Sequence, residues 1–149
     1  MARIEASVVI NRPVEEVFEF VTNPKNDVLW QSGVLESEQT SEGPMGVGTM
    51  VRSVSQSLGR RMESLSEITE YEPNTKIKYK VTSGPMTGQP SCTFEPVEGG
   101  TRLTFVGEGE IGGFFKRLVG LADSIVVRMM QRGVETDLAN LKDILEAEA

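Results

Sequence analysis

Glu108 and Glu110 alternate with Gly107 and Gly109, which puts both carboxylates on one face of an extended chain. Such a pair does acid–base work when burial raises one of its pKa values. The simpler reading, favoured here, is a solvated strand edge whose charge discourages pairing with another chain. Glu63, Glu67 and Glu70 form a similar acidic group with Arg60 and Arg61 nearby, and exposed pairs of that kind contribute only ~0–1 kcal/mol. The chain has no histidine and one cysteine, Cys92. That excludes Ser-His-Asp and Cys-His catalysis and any imidazole proton shuttle. It also excludes zinc sites built from several Cys or His ligands, so the sequence implies neither metal nor cofactor. Cys92 alone cannot close an internal disulfide, and nothing points to an oxidising compartment.

Three further features invite a chemical reading. The stretch GPMGVGT at 43–49 is rich in glycine, but a phosphate loop opens a helix and this one leads into a strand pattern. A turn is the expectation. Lys116 and Arg117 precede a long helical pattern that ends in Asp143, Glu146 and Glu148, so both ends oppose the helix dipole. Either the basic start touches an anionic ligand or lipid surface, or packing overrides a small term; the second is favoured. Met50, Met62, Met86, Met129 and Met130 suit a plain core or an adaptable ligand cavity equally. Tyr79 and Trp30, apolar bodies with polar tips, suit the mixed lining of a small-molecule pocket.

The elements that must position these residues follow from pattern. With 149 residues, one domain over 1–149 is expected. The net charge of -7 argues against a nucleic-acid partner. No run approaches the ~18–20 apolar residues of a membrane span, and the N-terminus reads as a strand rather than a signal peptide. A cytoplasmic protein is expected. Ile4, Ala6, Val8 and Ile10 alternate with polar residues, as in a half-buried strand. Val14, Val17, Phe18 and Val21 make a helical stripe, with Asn11 or Arg12 as cap, Pro13 in the first turn and Pro24 as its stop. Strand runs follow at 34–41, 47–57, 60–71, 76–81, 89–97 and 101–109, with Gly84-Pro85 breaking the chain after the fourth of them and the last two forming a hairpin about Gly99 and Gly100. A helical pattern over 114–146 closes the chain, with Gly120 or Gly133 as places for a kink. Its first half is apolar nearly all round. Helices segregated from consecutive antiparallel strands make the class α+β.

Three segments carry a resemblance: EASVVINRPVEEVFEFVTNP, EITEYEPNTKIKYKVTSGP and CTFEPVEGGTRLTF. In this order, before a long terminal helix, they resemble the SRPBCC (START-like, polyketide cyclase/dehydrase) superfamily over nearly the whole chain. The resemblance implies a helix-grip fold, in which a curved antiparallel sheet wraps the C-terminal helix and leaves a hydrophobic cavity between them. It implies a small hydrophobic ligand such as a lipid or polyketide. Ile68, Ile77, Phe94 and Leu103 are then core markers. Met62, Tyr79, Cys92 and Phe105 share inward strand parity and become the expected lining, with Leu118, Ala122, Val126 and Met129 from the helix and Trp30 near the mouth. Inward parity adds Ser64 and Ser66 as polar groups, but no histidine and no obvious carboxylate. A ligand-binding protein, monomer or homodimer, is therefore the leading expectation. A cyclase or dehydratase using Tyr79 and a cavity carboxylate is the second, and a chaperone-like interaction module on the apolar first half of the helix is the third.

Overall fold

The computed structural model describes residues 2–57, 59–84, 86–111 and 123–147. Strand β1 (Ala2–Ile10) is followed by helix α1 (Val14–Thr22), a 3₁₀ turn at Pro24–Asn26 and the short helix α2 (Asp27–Trp30). Strands β2 (Val34–Gln39), β3 (Met50–Ser57), β4 (Arg60–Glu72), β5 (Lys76–Ser83), β6 (Met86–Gly88), β7 (Ser91–Val97) and β8 (Gly100–Ile111) come next, and helix α3 (Asp123–Ala147) closes the described chain. They form one eight-stranded antiparallel sheet in the order β1-β8-β6-β5-β4-β3-β2, with β7 pairing β5 and β8. The sheet is curved, with α3 packed along β1 and the short helices following the first strand. This is the α+β helix-grip arrangement. No described helix is long and apolar enough to cross a membrane.

Local chemistry sets the bends. Bulges interrupt the pairing register on β2 between Val34 and Glu36, on β4 between Ile68 and Glu70, and on β5 between Val81 and Ser83, opposite Leu65 and Ser66. A bulge bends its strand and sharpens the twist, which helps a flat ladder curl around a helix. On β8, a Cβ at Gly109 would run into the Thr87 carbonyl oxygen of β6, so the glycine lets two strands approach closely. The alternating glycines thus answer to packing at that point. Their neighbour Glu108 meets Arg3 at 3.4 Å across the β1–β8 ladder, inside the sheet and not on an edge strand as expected.

Other expectations change in detail. Pro13 itself caps α1, with no side-chain hydrogen bond from Asn11 or Arg12. Asn23 has extended backbone before Pro24, as the proline ring requires, and the helix stops at Thr22. The acidic group on β4 finds cross-strand rather than sequence-local partners: Glu63 binds Arg52 at 2.7 Å and Glu70 binds Lys76 at 2.8 Å. Arg61 reaches Glu36 at 3.3 Å. The 43–49 loop runs directly into β3, with Gly43 and Gly48 at positive φ. The short strand β6 follows the Gly84 break and has no counterpart in the sequence pattern.

Helix α3 runs unbroken through Gly133. The N-terminal part of its expected span, 114–122, lies outside the described residues, with Gly120, Lys116 and Arg117 in it. Three polar contacts tie the helix along β1: Gln131 Nε2 donates to the Glu5 carbonyl at 2.8 Å and Lys142 Nζ to the Val9 carbonyl at 2.7 Å. The Asn11 backbone N–H donates to Glu146 Oε2 at 2.9 Å. Those contacts offset the adverse position of Glu146 near the helix C-terminus. Under the helix lies a core of Ile10, Val17, Phe18, Ile68, Ile77, Phe94, Leu103, Leu141 and Leu145, all buried.

Candidate functional site

The sheet and helix do not meet everywhere. Between α2, the inner faces of β2–β5, β7 and β8, and the Val134–Leu138 stretch of α3 lies a cavity of about 340 Å³. Its walls alternate as strands dictate. Val51 pairs with Ser66 and Ser66 with Val81, so one row crosses β3, β4 and β5 on the cavity side. Ser53 pairs with Ser64 in the next row. On the other flank Cys92 pairs with Phe105 across β7 and β8. Ser37 and Val34 both reach the wall although they are three apart, because the bulge at Val34 and Glu36 shifts the parity of β2.

Helix α2 supplies the polar side. Asn23 starts the preceding turn by accepting from the Lys25 N–H at 3.1 Å, and Asn26 Nδ2 donates to the Phe20 carbonyl at 3.1 Å. These bonds hold α2 over the sheet, and Asp27 and Trp30, three residues apart on it, both face the cavity. Ser37 donates its hydroxyl to Asp27 Oδ2 at 2.8 Å. Burial pushes the Asp27 carboxyl up to about 6, the Ser37 hydrogen bond pulling the other way. Burial, and secondarily the Asp27 charge, pushes the Cys92 thiol up to about 12. The Tyr79 phenol is also raised, by burial first and then by the nearby Cys92, Asp27 and Tyr71. Tyr79 is thus a hydrogen-bond donor and not a base at neutral pH. Asp137 lies in the wall from α3; partial burial raises its pKa against hydrogen bonds from Ser32, whose backbone N–H donates to Oδ1 at 2.8 Å.

Trp30 stands out. It is only 7% exposed, and its Nε1 is the one buried side-chain nitrogen or oxygen among the described residues with no hydrogen-bond partner. Leaving a buried donor unpaired costs about 1–3 kcal/mol. The expectation of Trp30 at a mouth gives way to a wall position, because α2 turns the indole inward.

The structure brings Trp30, Ser64, Tyr79, Cys92 and Phe105 together on the cavity, along with Ser66. Met62 keeps inward parity but sits opposite Ser55, beyond the cavity wall. Val126 is buried away from the cavity and Met129 is 45% exposed, because the helix face toward the cavity passes through Val134, Asp137 and Leu138 instead. Leu118 and Ala122 lie outside the described residues. The expectation of no carboxylate is corrected: Asp27 and Asp137 both line the cavity. Strand parity cannot find them, since both come from helices. Ser53 is a wall residue outside the expected set, although it carries the same alternation signal as Ser64.

The comparisons agree with this architecture. No curated protein matches the sequence. Among solved structures, TTHA0849 from Thermus thermophilus superposes with a TM-score of 0.80 at 22% identity, covering 99% of each chain. A START superfamily protein from Mycobacterium smegmatis superposes with a TM-score of 0.73 at 12% identity, over 99% of this chain and 97% of its own. DR_A0006 from Deinococcus radiodurans does so with a TM-score of 0.72 at 14% identity over the whole of both chains. At these identities the likeness is one of fold. The sequence itself matches one family over residues 1–146, and with the sheet, the gripped helix and the cavity in place, the chain belongs to the polyketide cyclase / dehydrase and lipid transport family.

Proposed function

We propose that this protein binds a small, largely apolar molecule in the cavity between the sheet and α3. The cavity itself carries the reading: at about 340 Å³ it falls within the ~300–1,000 Å³ of small-molecule pockets. Its wall of Val, Ile, Pro and Phe side chains, interrupted by serines, Tyr79 and Asp27, has the mixed character of such pockets. Trp30 in the wall provides the readout. Native mass spectrometry of gently purified protein is expected to show a retained small molecule. Titration with a ligand at about 100 times its Kd is expected to raise Tm by roughly 5–10 °C. A broad panel of lipids, flavonoids and polyketides that shifts neither Trp30 fluorescence nor Tm would remove the support for this reading.

A second reading, catalysis, rests on Asp27. A carboxylate held near neutrality by burial, within electrostatic reach of Tyr79, has the properties of a general base. On a linear 1,3-polyketone, ionised Asp27 would take a proton from a carbon flanked by two carbonyls. Tyr79 would donate a hydrogen bond to the enolate oxygen. The enolate carbon would attack a second carbonyl of the same chain, and the alkoxide so formed would take the proton back from Asp27 to become a hydroxyl. Asp27 would then remove the second proton of the attacking carbon, and as the new C=C bond forms the hydroxyl would leave with that proton as water. The test is ring formation with loss of water, followed by mass spectrometry. Asp27→Asn should abolish turnover while retaining affinity, and wild-type protein that binds the polyketone without converting it counts against this reading.

A further inference from the structure

Resting on the ligand-binding reading, we propose that α2 carries the polar subsite of the cavity: Trp30 Nε1–H and the Asp27 carboxylate together read a hydroxyl group on an otherwise apolar ligand and turn away a carboxylate. Both residues lie on the same short helix, three positions apart, and both line the cavity. The indole N–H can only donate, and an ionised carboxylate can only accept. Within the described residues the indole has no acceptor, although Trp30 is 7% exposed. A buried donor left so is stabilised by whatever acceptor the ligand brings. Asp27 is oriented by Ser37 at 2.8 Å, which fixes it at the wall as an acceptor for a ligand donor.

The chemistry then ranks the head groups. A hydroxyl accepts from the indole and donates to the carboxylate. A hydrocarbon does neither and leaves the indole unpaired. A carboxylate accepts from the indole but brings a second negative charge beside Asp27, in a wall that also holds Asp137. The order expected is hydroxyl, then hydrocarbon, then carboxylate.

Naphthalene, 2-naphthol and 2-naphthoate share one apolar body and differ only in that group. Calorimetric titration of the full chain at pH 8 is expected to show 2-naphthol binding about tenfold more tightly than naphthalene, the effect of one net hydrogen bond. 2-Naphthoate should bind about tenfold more weakly than naphthalene, or not measurably. Within the Trp30→Phe variant, 2-naphthol and naphthalene should bind equally, and Asp27→Asn should recover 2-naphthoate relative to naphthalene by about tenfold. A reading that needs no variant comes from the single tryptophan, which gives one indole N–H resonance. 2-Naphthol should move its proton downfield and naphthalene should not. Equal affinities for 2-naphthol and naphthalene with an unmoved indole resonance overturn the subsite alone, as does tightest binding of 2-naphthoate. Failure of all three to bind overturns the ligand-binding reading and the subsite with it.

Discussion

Leu138 and Leu141 lie three residues apart on α3, both buried, and they meet different interiors. Leu141 packs in a filled region with Phe18, Phe94, Leu103 and Leu145, where Phe18 meets Phe94 edge-on at 5.0 Å and Tyr71 at 5.5 Å. Leu138 faces the cavity. Three elements around them make the same change within one structural period. On β7 the step is from Phe94 to Cys92, on β8 from Leu103 to Phe105, and on α1 from Phe18 to Val21. Phe94 pairs with Leu103 and Cys92 with Phe105, so two adjacent cross-strand pairs, about 7 Å apart along the strands, separate filled from hollow. Side-chain volume explains the boundary. The filled side is built from Phe, Leu and Ile, while the hollow side puts Ser37, Ser53, Ser64, Ser66 and Cys92 at positions of the same inward orientation. Small side chains on a sheet held at fixed distance from its helix leave space, and hydroxyls make that space receptive to polar atoms.

The sharpest probe of the contrast is Cys92, which tells whether the hollow side is also dry. With its thiol pushed up to about 12 by burial, its thiolate fraction at pH 8 is about a thousandfold below that of a free thiol. Native protein should react with a disulfide reagent about a thousandfold more slowly than urea-unfolded protein. A rate within about tenfold of the free thiol would show that water and reagent enter freely, and the apolar ligand reading would weaken.

The two leucines give a matched measurement of packing. Leu→Ala costs about 2–5 kcal/mol in buried sites and rises with the space left behind by incomplete collapse. Leu141→Ala should fall near the top of that range. Leu138→Ala should fall near the bottom, because its side chain already lacks neighbours on the cavity side. Urea unfolding of both variants with unchanged m-values tests this, and equal losses would mean that the cavity closes up in solution.

Asp27 gives the hollow side its own pH response. Its carboxyl is raised from 3.8 to about 6 in the folded state, so folded protein holds the proton more tightly than unfolded chain does. That stabilisation is complete below pH 4 and is lost as pH rises through 6, a change on the order of 3 kcal/mol. Asp27→Asn should therefore gain stability relative to wild type at pH 7–8 and lose that advantage near pH 4. Stability of the two proteins that runs parallel from pH 4 to 8 would show that Asp27 is hydrated.

The fold is largely legible in the sequence because period and punctuation carry it. The alternation from Ile4 to Ile10, the stripe from Val14 to Val21 and the Lys76–Val81 alternation all mark real elements, and inward parity puts Ser64, Ser66, Tyr79, Cys92 and Phe105 on one cavity. Parity also has its limits. It says which face a residue takes but not how far along the strand the cavity extends, so Met62 shares the face of Ser64 and lies beyond the wall. It cannot count through the β2 bulge to Ser37. It is silent on side chains arriving from helices, and so it misses Asp27 and Asp137. On α3 the stripe from Val126 to Leu145 identifies the buried face, while the part of that face above the cavity depends on where the helix crosses the sheet. That crossing is set by long-range bonds such as Lys142 to Val9, which no local pattern announces.

Those bonds also provide the smallest of the contrasts. Lys142 lies on the filled side, donating to the Val9 carbonyl and to Glu146 Oε2 at 2.6 Å. Lys142→Met keeps most of the aliphatic stem and removes both contacts, with an expected Tm loss of roughly 2–4 °C, as for ~1 kcal/mol in a chain of this length. The pH signature identifies the cause. The Lys142 side chain, and then the Asn11 backbone N–H, hold the Glu146 carboxyl below its ordinary value of 4.5, so its contribution is present above that pH and is lost on acidification. Lys142→Met should therefore cost least at low pH, where Glu146 is protonated in either protein. This is opposite in sign to Asp27, whose stabilising proton is lost on going up in pH. A Tm difference that stays constant from pH 7 down to pH 3 would mean that the lysine acts through the Val9 carbonyl alone. The acid end of the stability curve would then belong to other carboxylates, of which Glu70, lowered by Lys76, is the next to test.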